Sequence, residues 1–74
     1  MESITVGIDL AKQVFSVCVM DGRGRVIQRH ELKREALRTW LMQLPAGTVV
    51  AMEACSGAHY WGRYCEQQGL LPRL

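Results

Sequence analysis

The 74-residue sequence predicts one α/β domain on a mixed sheet, in the order βββαβα. Three observations carry that prediction. Apolar residues alternate with period two early in the chain, from Lys33 the period lengthens to that of a helix, and Thr48–Met52 is apolar throughout.

Ile4, Val6 and Ile8 alternate with Thr5, Gly7 and Asp9, which predicts a first strand. Gly7 removes a side chain beside Asp9 and opens the backbone to close approach. Gln13 to Met20, rich in Val14, Phe15, Val17 and Val19, predicts a second strand. Asp21-Gly22-Arg23-Gly24 is turn chemistry, and Arg25 to Leu32 is a more polar strand suited to a sheet edge. Leu37, Trp40, Leu41 and Leu44 recur at i, i+3, i+4 and i+7, one face of an amphipathic helix that Pro45-Ala46-Gly47 ends. Thr48–Met52 predicts a strand covered on both sides. Ser56 is the expected N-cap of a second helix over 58–68, Gly69 its C-cap, and Tyr60, Trp61, Tyr64 and Cys65 its apolar side. Leu70 and Leu71 would open another strand, but Pro72 and the end of the sequence follow, so regular structure is expected to stop before a fifth strand. A helix between strands three and four returns the chain for parallel pairing with strand one, which is then central, between strands two and four.

At 49% hydrophobic and 22% charged, the chain reads as globular rather than disordered. No apolar run approaches the ~20 residues of a membrane span. A basic region followed by a long apolar stretch is missing from the start, so a cytoplasmic chain with no membrane partner is expected. Cys18, Cys55 and Cys65 cannot all pair and form no Cys-x-x-Cys, which favours free thiols. Net charge is only +2, but Arg23, Arg25, Arg29, Lys33, Arg34 and Arg38 fall in one segment. Such a run is either a solvated face or a phosphate-contacting edge, and charge alone does not choose. Lys12, close behind the first strand, is a solvated turn lysine or a phosphate contact on the same terms.

Asp9 and Glu53 each close an apolar strand, and the two strands are expected to be parallel neighbours. Both carboxylates then lie at one end of the sheet, where their repulsion is relieved by a divalent cation. Hard oxygen ligands suit Mg²⁺ or Mn²⁺, and a pair of such ions is a common device for phosphodiester chemistry. Two carboxylates are too few for a two-metal site, so further acids would have to come from elsewhere.

Gly7-Ile8-Asp9-Leu10-Ala11-Lys12 and Met52-Glu53-Ala54-Cys55-Ser56-Gly57-Ala58-His59-Tyr60-Trp61 resemble the N-terminal motifs of the RuvC-like DEDD transposases, the bacterial insertion-sequence "one-ten" family that includes the Piv-type DNA invertases. The resemblance covers nearly the whole chain. It implies an RNase H-like fold, with residues 1–74 forming the N-terminal part of one catalytic domain. It also implies metal-dependent DNA strand transfer, with Asp9 as the first and Glu53 as the second acid of a catalytic, metal-binding tetrad. The family's other two aspartates and its serine-bearing domain have no counterpart here, so a piece inactive by itself is expected. Implied partners are DNA at element ends and target, element-encoded RNA, and full-length transposase or a second copy, all at the bacterial nucleoid.

Other residues have plainer readings. Cys55, His59 and Cys65 lack a fourth zinc ligand. His30 reads as a solvent-facing strand residue, Trp40 and Trp61 as core rather than base-stacking groups, and Ser56 as a cap without an activating partner. Two competing functions share the opening strand. Sugar kinases and actin-like ATPases also begin with a strand ending Gly-Ile-Asp, but carry Gly-Thr or Gly-Ser where Leu10-Ala11-Lys12 stands here. A non-catalytic remnant that binds DNA or full-length transposase is the other. An uncovered edge at the fourth strand would make the chain poorly stable, dimeric or prone to aggregate.

Overall fold

The computed structural model describes residues 4–10, 13–53 and 57–73. Strand β1 (Thr5–Asp9) pairs antiparallel with β2 (Val14–Met20), and β2 pairs antiparallel with β3 (Val26–Lys33). Helix α1 (Arg34–Met42) carries the chain back to β4 (Val49–Met52), which lies parallel to β1. Helix α2 (Ala58–Gln67) leads to β5 (Leu71–Arg73), parallel to β4. The mixed sheet has the order β3-β2-β1-β4-β5, so β1 is central with β2 and β4 beside it, as the sequence predicts.

Period-two patterning sorts the sheet into two faces. Val6 and Ile8, Phe15, Val17 and Val19, and Val50 and Met52 are buried, and register places Val6 level with Val19 and Val50, and Ile8 level with Val17 and Met52. This apolar surface is covered by Leu37 and Leu41 of α1 and by Trp61, Tyr64 and Cys65 of α2. Trp61, 2% exposed, is the hub. Its ring meets Phe15 and Tyr64 edge-on, with centroids 5.5 and 5.8 Å away, one of the arrangements that ring quadrupoles prefer. Among the described residues no helix covers the opposite face. The apolar run at β4 is therefore buried on one side only: Val50 and Met52 face the core, while Val49 and Ala51 are half-buried on the open side.

Turns hold the end of the sheet away from the first strand's terminus. The Asp21 carboxylate accepts the N–H groups of Arg23 and Arg25 at 2.9 and 3.0 Å, and its carbonyl accepts that of Gly24. Gly47 and Gly69 have φ of 86° and 80°, values that suit only a residue without Cβ, and the N–H of Gly47 donates to the carbonyl of Gly69 at 2.8 Å. The turn after α1 and the turn after α2 are thereby tied together.

Several expectations are corrected. Regular structure does not stop after α2: Leu71–Arg73 forms a fifth strand. The N–H of Leu71 donates to the carbonyl of Thr48, and strand alternation then turns the Pro72 nitrogen to the outer edge, where a missing donor breaks no ladder bond. The edge of β4 is thus paired. Its cover is three residues long and contains proline, a poor template for another strand, which removes the reason to expect aggregation there. Gly57, not Ser56, occupies the cap position of α2; Ser56 lies outside the described residues. Tyr60 lies at the margin of the core, 36% exposed. His30 is half-buried, its ring centroid 5.6 Å from that of Trp40 and its Nε2 3.1 Å from Gln28 Oε1.

Candidate active site

Strands β1, β3, β4 and β5 run one way and β2 the other. The C-terminal ends of β1, β3 and β4 therefore meet at one end of the sheet, together with the first turns of both helices. Asp9 is the last residue of β1. Glu53 follows β4 directly, one step beyond the last paired rung, Ile8 with Met52. Adjacent strands lie about 4.8 Å apart, so the two acids are neighbours. Each follows a buried residue, so alternation turns both onto the helix-free face, where both are exposed.

That face is a broad open cavity of about 900 Å³. Register arranges the lining side chains of this face in two rows. One reads Glu31, Ser16, Asp9 and then Glu53; the next reads Arg29, Cys18, Gly7 and Ala51, with Arg73 of the edge strand level with Ala51 beyond the cavity lining. The floor is shallow because its central side chains are small. A Cβ added at Gly7 would meet Met20 Cε at 3.6 Å and Cys18 Cβ at 4.0 Å, ordinary contacts, so internal packing does not demand glycine there.

Among the described residues the only ion pair joins Arg25 Nε to Asp21 Oδ2 at 3.6 Å, and neither Asp9 nor Glu53 has a cationic partner. Two hard carboxylates side by side match part of the shell of Mg²⁺ or Mn²⁺. Mg²⁺ keeps several waters and is held by one or two carboxylates plus substrate phosphates. Among the described residues no third His, Cys, Asp or Glu lies close enough to make a three-ligand site.

The basic residues that form one run in sequence are dispersed in space. Arg23 and Arg25 sit in or beside the β2–β3 turn, at the end of the sheet opposite Asp9 and Glu53. Arg29 lines the open face beside the acids. Lys33 ends β3 and Arg34 begins α1, at the same end as the acids. Lys12 and Cys55 lie outside the described residues. Cys65 is buried against the core, and burial pushes its thiol up to about 11. Trp61 is a core residue and Trp40 packs partly against the core.

Neither the place of Glu31 in the row of Asp9 nor that of Arg73 level with Ala51 and Gly7 is visible in the sequence alone. Glu31 was legible as in phase with Arg29 along a strand, but its row depends on a register shift at Val19/Met20. Arg73 depends on the fifth strand.

The chain resembles known transposases. It is 48% identical over 69 residues to the Pseudomonas aeruginosa protein named "Probable family 20 transposase", covering 93% of this chain and 20% of that protein. It is 39% identical over 69 residues to the transposase for insertion sequence element IS1111A of Coxiella burnetii, covering 93% and 19%. It is 36% identical over 70 residues to the transposase for insertion sequence element IS1328 of Yersinia enterocolitica, covering 93% and 21%. The chain thus spans about a fifth of the length of these curated relatives. No protein-family model and no solved structure matches it.

Proposed function

We propose that the chain is the N-terminal portion of an insertion-sequence transposase, on an RNase H-like, RuvC-type DEDD fold that acts on DNA. Asp9 and Glu53 are two of its metal-binding acids. The observation that carries this reading is their placement: two acids close adjacent parallel strands on one open face of a mixed sheet. Likeness to insertion-sequence transposases along 93% of the chain supports it.

A Mg²⁺ or Mn²⁺ bound there would polarise a phosphoryl oxygen and lower the pKa of a bound water. The chain's own residues fix where that happens. The β1–β4 ladder holds Asp9 beside Glu53. The small Gly7 and Ala51 leave room for a phosphodiester backbone over the sheet, and Arg29 offers a cation on the same face. The remaining acids of the site and most of the RNA and DNA contacts belong to the rest of such a protein, working at the DNA of the cytoplasm, and a second copy or a full-length transposase is the protein partner this chain would pair with. No helix among the described residues is long and apolar enough to cross a membrane.

A chimera tests the reading. Residues 1–74 replace the aligned segment of the Pseudomonas aeruginosa relative, and transposition frequency is scored. The expected result is activity that disappears with Asp9→Ala or Glu53→Ala. A chimera that transposes equally well with both alanines would refute the assignment.

A further inference from the structure

Helices α1 and α2 are joined by two arginines lying on aromatic rings. The Arg34 guanidinium carbon is 4.9 Å from the centroid of Tyr60 and 5.6 Å from that of Trp61. One turn later, Arg38 lies 5.0 Å from the centroid of Tyr64, and its Nη1 donates to the Tyr60 hydroxyl. The Tyr64 hydroxyl donates to the Arg38 carbonyl at 2.9 Å, so the helix pair is also held through backbone.

This arrangement exceeds what packing requires. Arg34 opens α1, where the helix dipole disfavours a cation. Among the described residues neither arginine has a carboxylate partner. A guanidinium held over ring faces is positioned by the cation–π attraction while its N–H groups remain available to a further acceptor. Each fork carries five donors, and one hydrogen bond from the Arg38 fork is accounted for within the described chain. Positions i and i+4 of a helix put the two side chains on one face. Forked donors without a carboxylate partner among the described residues match phosphate oxygens. The position is also directed. Arg34 and Tyr60 lie in the first turns of their helices, at the end of the sheet where Asp9 and Glu53 emerge.

We propose that Arg34, Arg38 and Tyr60 form a phosphate-binding bracket for a nucleic-acid backbone, leading it from the helical face to the acids. The inference rests on the reading of the chain as part of a DNA-processing enzyme, and it gives that enzyme a binding surface separate from the metal-ligating residues.

The test uses the 74-residue chain, a labelled mixed-sequence DNA duplex and a matching RNA duplex, with fluorescence anisotropy in EDTA over a range of salt. Each lost phosphate contact lowers the slope of log K against log salt by about 0.9. Arg34→Gln with Arg38→Gln should therefore reduce the slope by ~1.8, while Arg23→Gln, at the opposite end, should leave it unchanged. Tyr60→Phe keeps the ring and all charge; it should weaken binding without changing the slope. Thermal melts establish that each variant is folded. The same arginine dependence with tighter binding to RNA would assign the bracket to an RNA backbone. No binding by the parent chain at low salt, an unchanged slope in the double variant, or an equal loss with Arg23→Gln would overturn the proposal. EDTA removes any metal contribution, so these outcomes are independent of whether Asp9 and Glu53 bind a cation.

Discussion

Truncating Trp61 to alanine should unfold the chain. Its ring is 2% exposed and meets Phe15, Tyr60 and Tyr64 edge-on, at 5.5, 5.2 and 5.8 Å between centroids. Removing a buried tryptophan costs ~3–5 kcal/mol through lost transfer energy and the cavity left behind. Edge-to-face pairs add ~0.5–1.5 kcal/mol each beyond burial. A single core in a chain under ~80 residues rarely supplies more than ~3–5 kcal/mol. The loss thus equals or exceeds the whole stability, and Trp61→Ala should be unfolded in water at 25 °C. Trp61→Phe keeps an aromatic edge against Phe15 and should cost ~1–2 kcal/mol. With a urea m-value of ~1 kcal/mol/M for a chain this small, its midpoint should fall by ~1–2 M. Urea unfolding followed by circular dichroism, with Trp40 as the remaining fluorophore, measures both. A cooperative transition in Trp61→Ala within 1 M of the parent midpoint would show that α2 is not anchored through this ring.

Other outcomes follow from single sites. The Cys65 thiol is raised from 9.0 to about 11 by burial. Its contribution to stability is complete below pH 9, where the thiol is neutral folded or unfolded, and is lost as pH rises from 9 toward 11. Stability should fall by up to ~1.4 kcal/mol per pH unit there, and urea titrations should show that limb flattened in Cys65→Ala. Gly7→Ala should raise stability by ~0.5–1 kcal/mol, since its Cβ meets only ordinary contacts and an interior strand glycine is entropically costly; a lower melting temperature would contradict the packing described for the open face. Asp21→Ala removes a carboxylate that accepts two backbone N–H groups and pairs with Arg25. It should cost ~1–3 kcal/mol, read as a lower urea midpoint.

The sheet was legible where alternation met a single buried face. Val6 and Ile8 followed by Asp9, and Val50 and Met52 followed by Glu53, announce both the strands and the side to which their acids turn. The central place of β1 followed from the handedness of the crossover through α1. What stayed hidden depended on partners distant in sequence. Pro72 argues against a strand until the Thr48 carbonyl is seen to take the Leu71 N–H and leave the proline nitrogen on the outer edge. The continuous apolar run at β4 suggested burial on two faces because Ala51 and Val49 carry no polar signal, yet both are only half-buried and Ala51 lines the open cavity. The arginine run looked like one patch because sequence proximity does not report that a hairpin sends Arg23 and Arg34 to opposite ends of the sheet. The Arg34–Tyr60 and Arg38–Tyr64 contacts join residues 26 apart, a spacing no local pattern encodes.

Paramagnetic broadening by Mn²⁺ tests the central claim, that Asp9 and Glu53 together hold a divalent cation. In a ¹⁵N-labelled sample of the 74-residue chain, substoichiometric Mn²⁺ should broaden amide signals around Asp9 and Glu53 first, along with Ile8 and Met52 in the rung beside them. Mg²⁺ should compete the effect away, and Asp9→Asn or Glu53→Gln should abolish it. Broadening centred elsewhere, or unchanged in both variants, would contradict the account.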